Sequence, residues 1–168
     1  VNNYTVTFDS AGGSEVKPIT QAYATTITAP IAPTRAGYTF IGWNTKADGS
    51  GAFYQDEEEI LNLSFENGAV INLYAQWASN TYKIKFVNND GTDNYTSYNA
   101  TFDLPFTISH SVIRDYCTFK GWATSPDGEV VYKNGDKVTN LTSVVDGTVT
   151  LYAVWGKTVS TNTFDVSY

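Results

Sequence analysis

A single cysteine, a single histidine, no methionine and only ten basic residues set the first limits on this 168-residue chain. One thiol, Cys117, allows no intrachain disulfide, and its place inside an alternating stretch reads as a buried, inert group. Near-absence of cysteine also fits bacterial secreted proteins. Ten Lys and Arg against 17 Asp and Glu leave a formal charge of −7. Nucleic acid is therefore excluded as a partner, since that binding rests on cations neutralising phosphates; the acidic, Thr- and Asn-rich surface serves solubility. No apolar run approaches the roughly 20 residues of a bilayer span, so no membrane insertion is expected in this fragment. No signal peptide or anchoring motif is visible. Without even an initial Met, the chain is expected to be an excised piece of a longer array.

What the chain does have is repetition. Gly37-Tyr38-Thr39-Phe40-Ile41-Gly42-Trp43 returns as Tyr116-Cys117-Thr118-Phe119-Lys120-Gly121-Trp122. Ile71-Asn72-Leu73-Tyr74-Ala75-Gln76-Trp77 returns as Val149-Thr150-Leu151-Tyr152-Ala153-Val154-Trp155. Tyr4 and Tyr82, Tyr54 and Tyr132, Asn62 and Asn140, and Trp77 and Trp155 all stand 78 positions apart. Phe40 to Phe119 and Trp43 to Trp122 are 79, a slip confined to loops, as a fixed scaffold with surface insertions requires. The spacing divides the chain into a first repeat at residues 1–78, a second at 79–156, and a remainder at 157–168. In that remainder, Asn162 to Tyr168 has the residue order that opens the second repeat, the expected start of a third unit.

Each repeat is near the size at which one core barely suffices, and aromatics at 15% supply the large buried area that a short β unit needs. Tyr4, Val6 and Phe8 alternate with threonines, predicting a half-buried strand. A short second strand is expected over 16–23, kept to an edge by Pro18. Residues 29–33, with Pro30 and Pro33, should be extended or irregular. Phe40 and Trp43 differ in parity, so a regular strand would put them on opposite faces; a bulge at Gly42 returns the indole to the core, and Gly121 before Trp122 calls for the same device. The acids at 56–59 suggest a short helix over 56–63, with weaker credentials for its counterpart at 134–141. In the last strand of each repeat, Ile71, Leu73, Ala75 and Trp77, like Val149, Leu151, Ala153 and Trp155, share one face. The structural core is thus expected to include Tyr4, Phe8, Phe40, Gly42, Trp43 and Trp77, then Tyr82, Phe86, Phe119, Gly121, Trp122 and Trp155. A linker of about four residues, 78–81, would leave adjacent repeats little freedom, making the array a semi-stiff rod.

The blocks Tyr4-Thr5-Val6-Thr7-Phe8-Asp9-Ser10-Ala11-Gly12-Gly13, Ala32-Pro33-Thr34-Arg35-Ala36-Gly37-Tyr38-Thr39-Phe40-Ile41-Gly42-Trp43 and Leu73-Tyr74-Ala75-Gln76-Trp77 resemble the Listeria–Bacteroides repeat, also called the internalin B-repeat. The likeness covers residues 4–77 and, more loosely, 82–155. The second copy lacks the Pro-Thr-x-x-Gly-Tyr run and is four residues longer between its proline and Phe119. The resemblance implies an α+β, predominantly β fold: two tandem β-grasp-like (ubiquitin- or SUMO-like) modules in an elongated array. It implies an extracellular, surface or secreted bacterial protein, and a spacer, adhesion or interaction role. The family brings no catalytic residues.

Reactive chemistry finds little support. His110 lies in the segment that the first repeat does not match, and neither Asp103 nor Cys117 recurs in the sister copy, so a Cys-His site is rejected. Asn88-Asn89-Asp90-Gly91-Thr92-Asp93 and the acids 56–59 carry oxygen donors without calcium-loop spacing, and read as a solvated turn and a solvated charge run. No catalytic residue, metal site or cofactor is expected. The expected partners are neighbouring repeats and a host or cell-surface protein or glycan. Tyr74 and Tyr152 fall on the face of their strands opposite the core, and with Tyr95 and Tyr98 they are the candidate contacts. Two functions follow, a non-enzymatic spacer or adhesive module and a specific receptor- or carbohydrate-binding module. The latter would draw on Tyr95, Tyr98 or Tyr132 and the Asn and Asp donors of residues 88–98. A clustered patch of exposed aromatics favours binding; scattered rings favour spacing.

Overall fold

The computed structural model describes residues 1–158, and the third-unit motif at 162–168 lies outside them. The chain forms two compact units, Val1–Asn80 with Ser143–Val145, and Thr81–Thr142 with Asp146 onward. In the first, the strands are β1 (Asn3–Asp9), β2 (Ile19–Ala22), β3 (Thr26–Thr28), β4 (Tyr38–Asn44), β5 (Phe53–Tyr54), β6 (Glu59–Leu61) and β7 (Val70–Ser79). In the second they are β8 (Thr81–Val87), β9 (Tyr95–Thr101), β10 (Phe106–Thr107), β11 (Cys117–Ala123), β12 (Lys137–Val138) and β13 (Thr148–Lys157).

Alternation along β1 puts Tyr4, Val6 and Phe8 inward, and β1 lies parallel to β7 with Phe8 opposite Leu73. A parallel pair needs a long crossover, and everything from β2 to β6 is that crossover. The main sheet has the order β2-β1-β7-β4-β5. In the second unit β11-β13-β8-β9 repeats it, and a bridge from Trp122 to Tyr132 stands where Trp43 pairs with Tyr54 of β5. Pairs β3–β6 and β10–β12 close the two cores. Tyr4, Val6, Ile27, Trp43, Ile60 and Leu73 fill the first core, and Tyr82, Ile84, Phe86, Ile108, Trp122 and Leu151 the second.

The Gly-Trp elements bulge. Register in β4–β7 jumps from Phe40 opposite Trp77 to Gly42 opposite Gln76, and in β11–β13 from Phe119 opposite Trp155 to Gly121 opposite Val154. The extra residue, Ile41 or Lys120, restores Trp43 and Trp122 to the core side, where both are fully buried. Phe40 then meets Trp43 edge-on, with 5.2 Å between ring centroids, and Phe119 meets Trp122 in the same way at 5.0 Å in the second unit.

One expectation is corrected. No helix occurs among the described residues, so the fold is all-strand and not α+β. In the acid run, Glu57 has a positive φ of 56°, the Gln55 N–H donates to the Glu58 carboxylate at 2.6 Å, and the chain then enters β6. Ile60 is buried opposite Ile27 while Leu61 is exposed, the period of a strand. Lys133 and Asp136 repeat the turn at 2.7 Å in the second unit. Pairing with a strand about thirty residues earlier overrides the local preference for a helix start.

Candidate functional site

The second unit carries a cleft of about 420 Å³ on the outer face of its sheet, lined by Lys85, Val87, Thr92, Asp93, Tyr95, Thr150 and Tyr152. Strand register builds it. Tyr152 stands opposite Val87, and Val87 opposite Tyr95, so two tyrosines flank a valine in one row across β13, β8 and β9. Two strand spacings separate their α-carbons by about 10 Å. The next row supplies Thr150 and Lys85. Lys85 Nζ lies 4.0 Å from the centre of the Tyr95 ring.

The loop 88–94 that brings Thr92 and Asp93 to the cleft is held from several sides. Asn88 N–H donates to the Asn94 carbonyl at 3.0 Å, Asn89 Nδ2 to the Ala153 carbonyl at 3.0 Å, and the Trp155 indole N–H to the Asn88 and Asn89 carbonyls at 2.9 and 3.1 Å. Asp90 accepts both the N–H and the hydroxyl of Thr92, at 3.0 and 2.6 Å, and these bonds hold its carboxyl below the usual carboxylate range. The Asp90 carboxylate and the Asn88 and Asn89 carbonyls are thus used in holding the turn. No group of three or more His, Cys, Asp or Glu side chains among the described residues is placed to hold a metal.

The same place in the first unit is built differently. There the row is Tyr74 and Asp9, and the next is Asn72 and Thr7, whose side chains hydrogen-bond to each other. The β1–β2 ladder ends at Val6 opposite Ile19. Pro18, next in line, has no N–H to continue it, and Val16 packs against the core. In the second unit Ser97 takes the position of Pro18, the ladder runs on to Tyr95, and Tyr95 reaches the outer face.

Of the four tyrosines singled out in the sequence, the structure brings Tyr95 and Tyr152 together. Tyr74 belongs to the other unit. Tyr98 shares the inward parity of Ala100, packs its ring 5.7 Å from Phe86, and shares a 3.1 Å hydrogen bond between its hydroxyl and His110 Nδ1. Tyr132 packs against the second core. His110 lies over Trp122, with ring centres 5.7 Å apart, while Asp103 is bonded to Asn140, whose Nδ2 donates to it at 2.7 Å. Asp93 falls among the Asn and Asp donors of residues 88–98 named from the sequence, whereas Lys85, Val87 and Thr150 were not singled out there; the outward parity of Lys85 and Val87 on β8 was the available signal.

A tandem pair of all-strand units, each with its own aromatic core, defines the class: a repeat protein of the β type. The chain belongs to the Listeria-Bacteroides repeat domain family, whose model matches residues 4–76 and again 82–154. It is 33% identical over 164 residues to an Evansella cellulosilytica protein named as a membrane protein, covering 92% of this chain and 22% of the relative. A Gly-rich membrane protein of that organism is 36% identical over 140 residues, 80% of this chain and 15% of its own length. Internalin H of Listeria monocytogenes is 28% identical over 187 residues, 97% of this chain and 31% of its own. The chain therefore spans less than a third of each of these curated relatives.

Proposed function

We propose that the chain is a non-enzymatic, extracellular part of a bacterial surface or secreted protein, serving as a spacer that projects another part of that protein and carrying contacts to host or cell-surface partners. The observation that supports it most is the duplication of a sealed core: two clusters that share no residue, each closed by its own tryptophan pair. A spacer needs units that stay folded alone and can be added in number. The family and the names of the relatives support a surface location. We read the unit as β-grasp-like in topology, on the strength of the order β2-β1-β7-β4-β5 with its central strands parallel. The repeats divide near residue 78.

Display of an antibody epitope on a bacterial surface tests the reading. The epitope is carried either by this chain or by an unstructured linker of the same number of residues. Spacing predicts that whole antibody reaches the epitope better through the folded chain. Equal access through both would sink it.

A further inference from the structure

We propose that the cleft over β13, β8 and β9 in the second unit binds one neutral hexopyranose residue of a glycan. This goes beyond the spacer reading and does not depend on it.

The row Tyr152, Val87 and Tyr95 places two tyrosines in the lining of the cleft with an aliphatic side chain between them. A pyranose ring has an apolar face of C–H bonds and an equatorial belt of hydroxyls. Its apolar face stacks on a tyrosine, whose ring is hydrophobic and whose hydroxyl stays wet. A volume of about 420 Å³ lies at the lower end for small-ligand clefts.

The polar groups suit the hydroxyl belt. Asp93 accepts from adjacent hydroxyls, Lys85 donates, and Thr150 does either. Lys85 and Asp93 sum to zero charge at the site. The chain as a whole carries −7, which repels an anionic ligand, so a neutral sugar fits better than a uronic or sialic acid. Side chains standing on a sheet face give a peptide no backbone partners, whereas strand addition would use the sheet edge. That favours a polyol over an extended peptide.

The site is also rigid before any ligand arrives. Three of its strands belong to one sheet, and the Trp155 indole ties the loop that carries Asp93 to the core. Little ordering entropy is then left to oppose binding. The first unit offers a built-in control, since there Tyr74 stands opposite Asp9, and Thr7 and Asn72 fill the row that holds Lys85 and Thr150 in the second unit.

Saturation-transfer NMR of the intact two-repeat chain tests the proposal, using the methyl glycosides of glucose, galactose, mannose and N-acetylglucosamine, with methyl glucuronide as the charged control. At least one neutral glycoside is expected to bind in the millimolar range. Tyr95→Ala, at a position 57% exposed and outside the buried core, should weaken it about tenfold. Tyr95→Phe should stay within about threefold of the parent, and Asp93→Asn should weaken binding while Tyr74→Ala leaves it unchanged. Chemical-shift dispersion of each variant verifies the fold. No transfer to any neutral glycoside, preference for the glucuronide, or binding indifferent to Tyr95→Ala would each overturn the proposal.

Discussion

A β-carbon added to Gly42 would stand 2.6 Å from the carbonyl oxygen of Tyr54, and Gly121 is in the same position relative to Tyr132, also at 2.6 Å. Both glycines have positive φ, 152° and 142°. Backbone strain and a clash with backbone therefore coincide. Gly42→Ala is expected to destabilise the first unit by about 3 kcal/mol or more, and Gly121→Ala the second by a similar amount. Chemical denaturation reads this directly; a loss under about 1 kcal/mol would mean that the bulge tolerates a side chain.

His110 ties acid sensitivity to the second unit. Its Nε2 is buried with no hydrogen-bond partner among the described residues, and desolvation holds its pKa below the ordinary 6.5. The unfolded chain therefore takes up this proton first as pH falls. The stability it governs is complete above about pH 6.5 and is lost as pH drops through that value towards the lower folded-state pKa. Melting between pH 8 and pH 5 should fall more for the parent than for His110→Asn, with the difference in residues of the second unit. Parallel pH profiles for the two would contradict the assignment.

The hydroxyls of Tyr4 and Tyr82 occupy matching places, and both are buried with no hydrogen-bond partner among the described residues. Removing an oxygen that makes no bond costs little and relieves desolvation. Tyr4→Phe and Tyr82→Phe should each be neutral or stabilising by up to about 1 kcal/mol. Destabilisation beyond that in thermal melts would show that the hydroxyl has a partner in solution.

Trp155 bonds the carbonyls of Asn88 and Asn89, and Trp77 bonds Ser10 at 2.9 Å. Trp155→Phe keeps an aromatic ring but removes the donor, leaving two carbonyls without it. A loss of about 1–3 kcal/mol is expected, with faster amide hydrogen exchange across residues 88–94. Unchanged exchange there would show that the loop is held by Asn89 and Asp90 without help from the indole.

Much of each unit was legible because a half-buried strand writes its orientation into alternate residues. Tyr4, Val6 and Phe8 needed no tertiary knowledge to be assigned to one face. The parity conflict between Phe40 and Trp43 even located the bulge, since only an added residue puts both rings inside. The acid run misled because the preference of carboxylates for a helix start is local and weak, while Ile60 gains a buried partner, Ile27, from a distant strand. Tyr98 and Tyr95, three residues apart on one strand, point to opposite faces, which their nearness in sequence does not reveal without strand parity.

By itself the sequence determined the repeat, the predominance of strands and the inward-facing aromatics, because these follow from spacing along the chain, while the family was read from the resemblance of its residue blocks. Only the tertiary structure decided that Tyr95 and Tyr152 flank Val87, and that Lys85 lies against Tyr95. Those neighbours come from three strands whose residues lie far apart in the sequence. Their meeting depends on the parallel register of β8 with β13 and on a hairpin that no proline cuts short, and local spacing cannot encode either.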